Sequence, residues 1–282
     1  MAVNITLSRR DIDVLGKIRD PESNPETGLR LDMSLPKDPH VTDMAEYAAT
    51  SQKERELILS MQQAEMELAG LKYKTLSDPV EAYRGSVAGL GQLIADHPQY
   101  ASARNNRAQA LRRLFGDDML LEQVPPEGPA DHPRNTGADA ILRGTAAGEQ
   151  ERAEAAATVL ADLDRAIALL MPMSASPMSP TAAKTLSLAF TQRAALYYAT
   201  SKLLAAGRQC STKVDRPESR WTRVDFEEAA SRDFSMGGRF GNEIARGLAV
   251  GTNPVAKLCG QMVQQMMKSE YGPEVSSDGE VE

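Results

Sequence analysis

The chain has 282 residues, enough for one large domain or two small ones, with 41% hydrophobic and 25% charged residues, the balance of a globular chain. Its formal net charge of −7 repels phosphate backbones and argues against nucleic acid as a partner. Aromatic content of only 5%, beside many Ala and Met, favours helices over sheets.

The two cysteines (Cys210, Cys259) and three histidines (His40, His97, His132) show no C-x-x-C or H-x-x-x-H spacing, so no structural metal site and no cofactor is expected. Met1 to Arg10 carries no apolar core of a secretory signal, and no stretch approaches the ~20 apolar residues of a membrane span. A reducing compartment, most simply the cytoplasm, and no membrane partner are expected.

Residues 1–45 hold Pro21, Pro25, Pro36 and Pro39 and read as an extended arm, with one short amphipathic turn around Val14, Leu15 and Ile18. A helix is expected from Met44 to about Leu76, broken by Asp78-Pro79. A second runs from about Val80 to Ala95 and a third from Tyr100 to Gly116. Residues 118–152 are rich in Pro and Gly and read as an inserted loop, with at most a short helix at 138–142. From Ala153, Val159, Leu160, Leu163, Ala166, Ile167 and Leu170 form one apolar face. Residues 171–182 read as a second insertion, followed by a helix from Thr181 to Ala206. A polar loop at 207–217 precedes a helix from Glu218 to Asp233.

The last helix is expected after Asn253 as N-cap and Pro254 at the first helical position. Val255, Leu258, Cys259, Met262, Val263, Met266 and Met267 then line one side, so this helix should cover something. Residues 247–271 are therefore taken as a capping helix, with Cys259 a buried thiol, and 272–282 as an acidic disordered tail.

Helix pairs at this spacing fit a 34-residue helical repeat once the insertions are removed. With Gly70 at repeat position 8, Met66, Ala69 and Tyr73 take the other packing positions of the first helix, and Ser86, Leu90 and Leu93 those of the second. Arg104 and Ala108, then Val159, Leu163 and Ala166, mark a second unit. Phe190, Arg193, Ala194 and Tyr197, then Phe226 and Ala229, mark a third. The expectation is an all-α tetratricopeptide solenoid of three repeats over 46–246, its long insertions tolerated because loop closure entropy grows slowly with length.

The run Ala101-Ser-Ala-Arg-Asn-Asn-Arg-Ala-Gln-Ala110 resembles the "ASAYNNRAQA" run of the tetratricopeptide repeat protein 36 family. Leu163 to Ile167, Asp225 to Ala230, Asn253 to Cys259 and the N-terminal Ile18-Arg-Asp-Pro-Glu with Gly28 resemble that family as well. The chain departs from it in its insertions, in Arg104 where an aromatic is usual, and in one extra residue between Gln109 and Gly116. The resemblance implies a non-enzymatic adaptor that binds the seventy-kilodalton heat-shock chaperone, with a link to tyrosine catabolism.

In such a solenoid the concave groove is lined by Lys74, Asn105, Asn106, Gln109, Arg112, Arg113, Thr191 and Gln192. Amides there can hold an extended peptide backbone and arginines its carboxylates. Of the carboxylate-clamp positions of chaperone-binding repeats only Asn106 matches, and Glu67 would repel a terminal carboxylate, so a chaperone would use another surface. No catalytic residues stand out. Asp162 and Asp164 are i, i+2 on a helix and point apart. Asp225, Glu227 and Glu228 read as a solvated face, and Gly85, Gly89 and Gly91 as close helix packing. The main expectation is a protein–protein adaptor associated with a chaperone. The alternative is a regulator that docks on a folded metabolic enzyme through its outer face and controls its turnover.

Overall fold

The computed structural model describes residues 29–73, 78–121, 142, 148–172, 176–207 and 216–271. Eight α-helices make up the described part: α1 (Met44–Leu68), α2 (Pro79–Asp96), α3 (Ala101–Phe115), α4 (Glu149–Leu170), α5 (Pro180–Ala205), α6 (Arg223–Arg239), α7 (Glu243–Thr252) and α8 (Pro254–Tyr271). A 3-10 turn at Pro217–Arg220 precedes α6. Among the described residues there is no sheet, and no helix is long and apolar enough to cross a membrane.

The breakers act where helix-end chemistry puts them. Asp78 and Ser179 each accept a backbone N–H as N-caps, with Pro79 and Pro180 at the first helical position, where a missing N–H costs nothing. Thr222 and Asp225 form a reciprocal capping box at the start of α6. That box moves the helix start from the expected Glu218 to Arg223, and Trp221 turns inward against Tyr197 and Phe226, ring centroids 5.2 Å from each.

Sequence-adjacent helices pack as antiparallel hairpins: α1 with α2, α3 with α4, α5 with α6. The hairpins stack in series through α2 on α3 and α4 on α5, with α3 also reaching α5. The core is continuous through all three and uses the positions the repeat spacing marks: Leu90, Ala108, Val159, Leu163, Ala166, Ala194 and Phe226 are fully enclosed. Gly89 lies on this packing surface, since a Cβ there would meet Leu57 Cδ2 at 2.6 Å. Gly85 has open space around it and plays no such part.

The first repeat register is corrected. Helix α1 ends at Leu68, not near Leu76, because Gly70 adopts φ 71°, the left-handed turn that closes a helix. Ala69 and Gly70 therefore lie beyond the helix, and Tyr73, expected in the core, is 99% exposed. The side chains α1 buries are instead Thr50, Glu54, Met61, Ala64 and Glu67.

The C-terminal end is corrected as well. Residues 243–252, where the sequence reading placed no separate helix before Asn253, form α7. It packs closely on α6 because Gly237 and Gly238 have no side chain; a Cβ on Gly238 would lie 2.8 Å from the Arg246 Cα. Phe190 of α5 stacks on Phe240 beside it, centroids 6.1 Å apart. Thus α7 covers the last hairpin, and α8 meets α6 and α7 at its edges, with Lys257 Nζ also 5.9 Å from the Tyr198 ring centroid on α5.

Residues 29–43 of the arm run without helix, as expected, along the α4–α5 connection. Met178 donates its N–H to the Arg30 carbonyl and accepts from Asp32 N, both at 2.9 Å. Ser179 Oγ donates to the Lys37 carbonyl, and His40 Nε2 donates to the Leu169 carbonyl at 2.8 Å. Residues 1–28, the tail after 271, and most of the 118–152 insertion, its expected short helix included, lie outside the described residues. Leu142 within that insertion is described and fully buried.

Candidate functional site

The expected groove residues separate into three environments. Asn105 and Gln192 are buried: Gln192 Nε2 donates to Asn105 Oδ1 at 2.8 Å and to its carbonyl at 3.2 Å. Arg112 joins them through Gln192 Oε1 at 3.3 Å while its Nε holds Asp117 at 2.9 Å. These three side chains form a strut tying α3 to α5, and the two amides use each other rather than face solvent.

Asn106, Gln109 and Arg113 come together, with Ile58, Met61, Glu65 and Tyr83, around a cleft of about 180 Å³ between α1 and α3. Asn106 Nδ2 donates to Glu54 at 2.7 Å and Arg113 pairs with Glu65 at 2.8 Å. Glu54, buried, also accepts the Tyr100 hydroxyl at 2.6 Å; burial and the adjacent carboxylate push the Tyr100 phenol far above its ordinary pKa, so it remains a donor. The third environment holds Thr191. Its hydroxyl donates to the Ser187 carbonyl at 2.7 Å and accepts from Asn242 at 3.1 Å, fixing the α6–α7 turn onto α5. Lys74 lies outside the described residues.

The acidic residues of the middle helices are bound into packing. Asp162, 1% exposed, receives a bidentate fork from Arg107 at 2.6 and 2.8 Å and a third bond from Arg104. Asp164 points the other way, to Arg193 at 2.7 Å and Arg216 at 2.6 Å, which accounts for their i, i+2 spacing. Arg193 also grips the buried Asp233 bidentately, at 2.7 and 2.9 Å. Burial still holds the Asp233 carboxyl above its ordinary range, with Arg193 pulling against that. Arg216 and the Tyr197 hydroxyl bind Glu218 and hold its carboxyl below the usual range against the opposing effect of burial. Glu227, expected on a solvated face, is buried between Arg223 and Lys257, at 3.0 and 3.3 Å. Among the described residues no group of His, Cys, Asp or Glu has a metal-holding arrangement.

The feature the sequence reading placed in the core and the structure exposes is the stripe on α8. Val255, Leu258, Met262, Val263, Met266 and Met267 are between 55% and 64% exposed, and Cys259 is exposed with them. The correction has a simple origin. Helical periodicity shows that a face is apolar, not that the chain supplies its cover, and here α7 already occupies the end of the last hairpin. Gln261, Gln264 and Gln265 share the opposite face of α8 with Lys257 and Lys268, and Glu270 lies in line with the stripe at its C-terminal end.

No family model matches the chain, and no solved structure does. The L-tyrosine degradation gene cluster protein hmgX of Aspergillus fumigatus is 32% identical over 270 residues, covering 94% of this chain and 93% of that protein. The chain belongs to the hmgX family. This overturns the assignment to the tetratricopeptide repeat protein 36 family, which rested on short runs of a few residues, whereas the hmgX match extends along nearly the whole chain. The chaperone association came only with that resemblance and loses its support with it.

Proposed function

We propose that the protein is a non-enzymatic regulator of tyrosine catabolism that docks on a folded enzyme of that process and controls its turnover. The observation that carries the reading is the bare α8 stripe, on a chain whose full-length relative is an L-tyrosine degradation gene cluster protein. A contiguous exposed apolar face on a helix marks a protein interaction surface, and exposed methionines adapt to a partner's shape. An exposed apolar stripe suits the surface of a folded protein better than a charged peptide terminus. In this reading the three hairpins act as a tetratricopeptide-type solenoid, a rigid cytoplasmic scaffold presenting α8. Asp162, Asp233 and Glu218 are each held by arginines inside the packing, which suits structural carboxylates of a scaffold.

Replacing Met262 and Met266 by Asp tests this, because both are exposed and the fold does not depend on them. Each substitution removes about 1–2 kcal/mol of interface burial and adds a charge that must be desolvated. The wild-type chain is expected to co-elute with one of the purified enzymes of L-tyrosine breakdown and to lengthen that enzyme's half-life in cells. The double variant should lose both effects. Co-elution unchanged in the variant, or absent with every such enzyme, refutes the reading.

A further inference from the structure

Residues of the arm and of the two described ends of the α4–α5 connection line an open cavity of about 590 Å³, well within the size range of small-molecule sites. Its walls are apolar and stiff: Leu35, Pro36 and Pro39 from the arm face Met171, Pro172 and Pro177 from the connection. Five polar side chains stand in the lining, Gln99, His40, Arg165, Ser176 and Ser179, and the Ser179 hydroxyl is already spent on the Lys37 carbonyl. Arg165 is exposed and, among the described residues, has no carboxylate partner, whereas Arg104, Arg107, Arg193 and Arg216 are each bound to one. Among the described residues it is thus an unpaired cation over a largely apolar pocket. His40 spends its Nε2 proton on the Leu169 carbonyl.

We propose that this cavity binds a small aromatic carboxylate, the ring between the prolines of the two walls and the carboxylate on Arg165. One guanidinium with few other donors suits a monoanion rather than a phosphate, which takes several cationic or amide groups. Proline rings and the Met171 thioether suit the face and edge of an aromatic ring. The carboxylate half of the assignment rests on the cavity alone; the aromatic half rests on the tyrosine-linked reading above. Occupancy would bridge the arm to α4 and α5, so the ligand would order one edge of the scaffold.

Calorimetric titration of the full chain with 4-hydroxyphenylacetate tests the site, with 4-ethylphenol and cyclohexylacetate as comparison probes. Saturable one-to-one binding is expected, weakened at least tenfold by Arg165→Met, with no saturation by 4-ethylphenol. Arg165 is on the surface, so Arg165→Met should keep the wild-type circular dichroism spectrum. No saturable binding of either acid, or equal binding by Arg165→Met, overturns the site. Equal binding of cyclohexylacetate overturns the aromatic assignment alone. The Met262→Asp, Met266→Asp variant should bind the acid as wild type does, so failure of docking and failure of this site are separate results.

Discussion

Replacing Arg193 by Met exposes how the third hairpin is held. Arg193 makes three charged hydrogen bonds, two to Asp233 at 2.7 and 2.9 Å and one to Asp164 at 2.7 Å. Asp164 keeps Arg216 at 2.6 Å after the change, so the loss falls on Asp233, whose side chain is 5% exposed and, among the described residues, retains no cation at bonding distance. Breaking a buried pair by removing one partner costs about 3–5 kcal/mol, because the remaining charge stays desolvated. Urea unfolding followed by circular dichroism at neutral pH should show a loss of that size with an unchanged slope. The double variant Arg193→Met, Asp233→Leu should recover most of it, since no unpaired charge remains. The pH dependence follows from the Asp233 carboxyl, which burial raises above its unfolded value of 3.8 and which loss of Arg193 raises further. A raised folded pKa means the fold favours the protonated form. That contribution is fully present below 3.8 and is lost as pH rises through the folded pKa. The difference between wild type and Arg193→Met should therefore be small at acid pH and grow as pH rises through the folded pKa of Asp233. A deficit below ~1 kcal/mol, against the 3–5 expected of a buried pair, or one independent of pH, would mean that water reaches Asp233 and that the pair is not a buried one.

Two further substitutions test the packing around the site. Tyr100→Phe removes a 2.6 Å bond to Glu54 and leaves that buried carboxylate with Asn106, so a loss of about 1.5–3 kcal/mol is expected in the same urea assay; no loss would show that Glu54 is hydrated. Gly238→Ala places a methyl 2.8 Å from the Arg246 backbone, which cannot rotate away, and should cost about 1–3 kcal/mol as α7 is pushed off α6. Faster amide exchange confined to α7 and α8 would locate that effect, and unchanged exchange there would contradict the close approach.

Much of the architecture is legible in the sequence because helix ends are local. Asp78-Pro79, Ser179-Pro180 and Asn253-Pro254 each place a capping side chain next to a residue that favours the first helical turn, so these starts are visible without a structure. The first repeat was misaligned for an equally local reason. Gly70 satisfies a pattern that asks for a small residue, but a small residue serves both close packing and a left-handed stop, and only the backbone angle separates them. The α7 helix was missed because Gly247 and Gly251 weaken its local signal, while its stability comes from Gly237 and Gly238 on the helix before it.

The candidate site divides the same way. Residue types named Asn105, Asn106, Gln192 and Arg113 as polar groups on one set of helices, but whether an amide faces a cleft or another amide depends on which helix lies opposite; Asn105 meets Gln192 from 87 residues along the chain. The sequence by itself determined that the protein is helical and where most of its helices begin, because periodicity and caps act over a few residues. It also determined that the final helix has one apolar face. Only the tertiary structure decided that α7 takes the covering position and leaves the stripe from Val255 to Met267 exposed, because burial is set by what meets a face, and that is a property of distant segments.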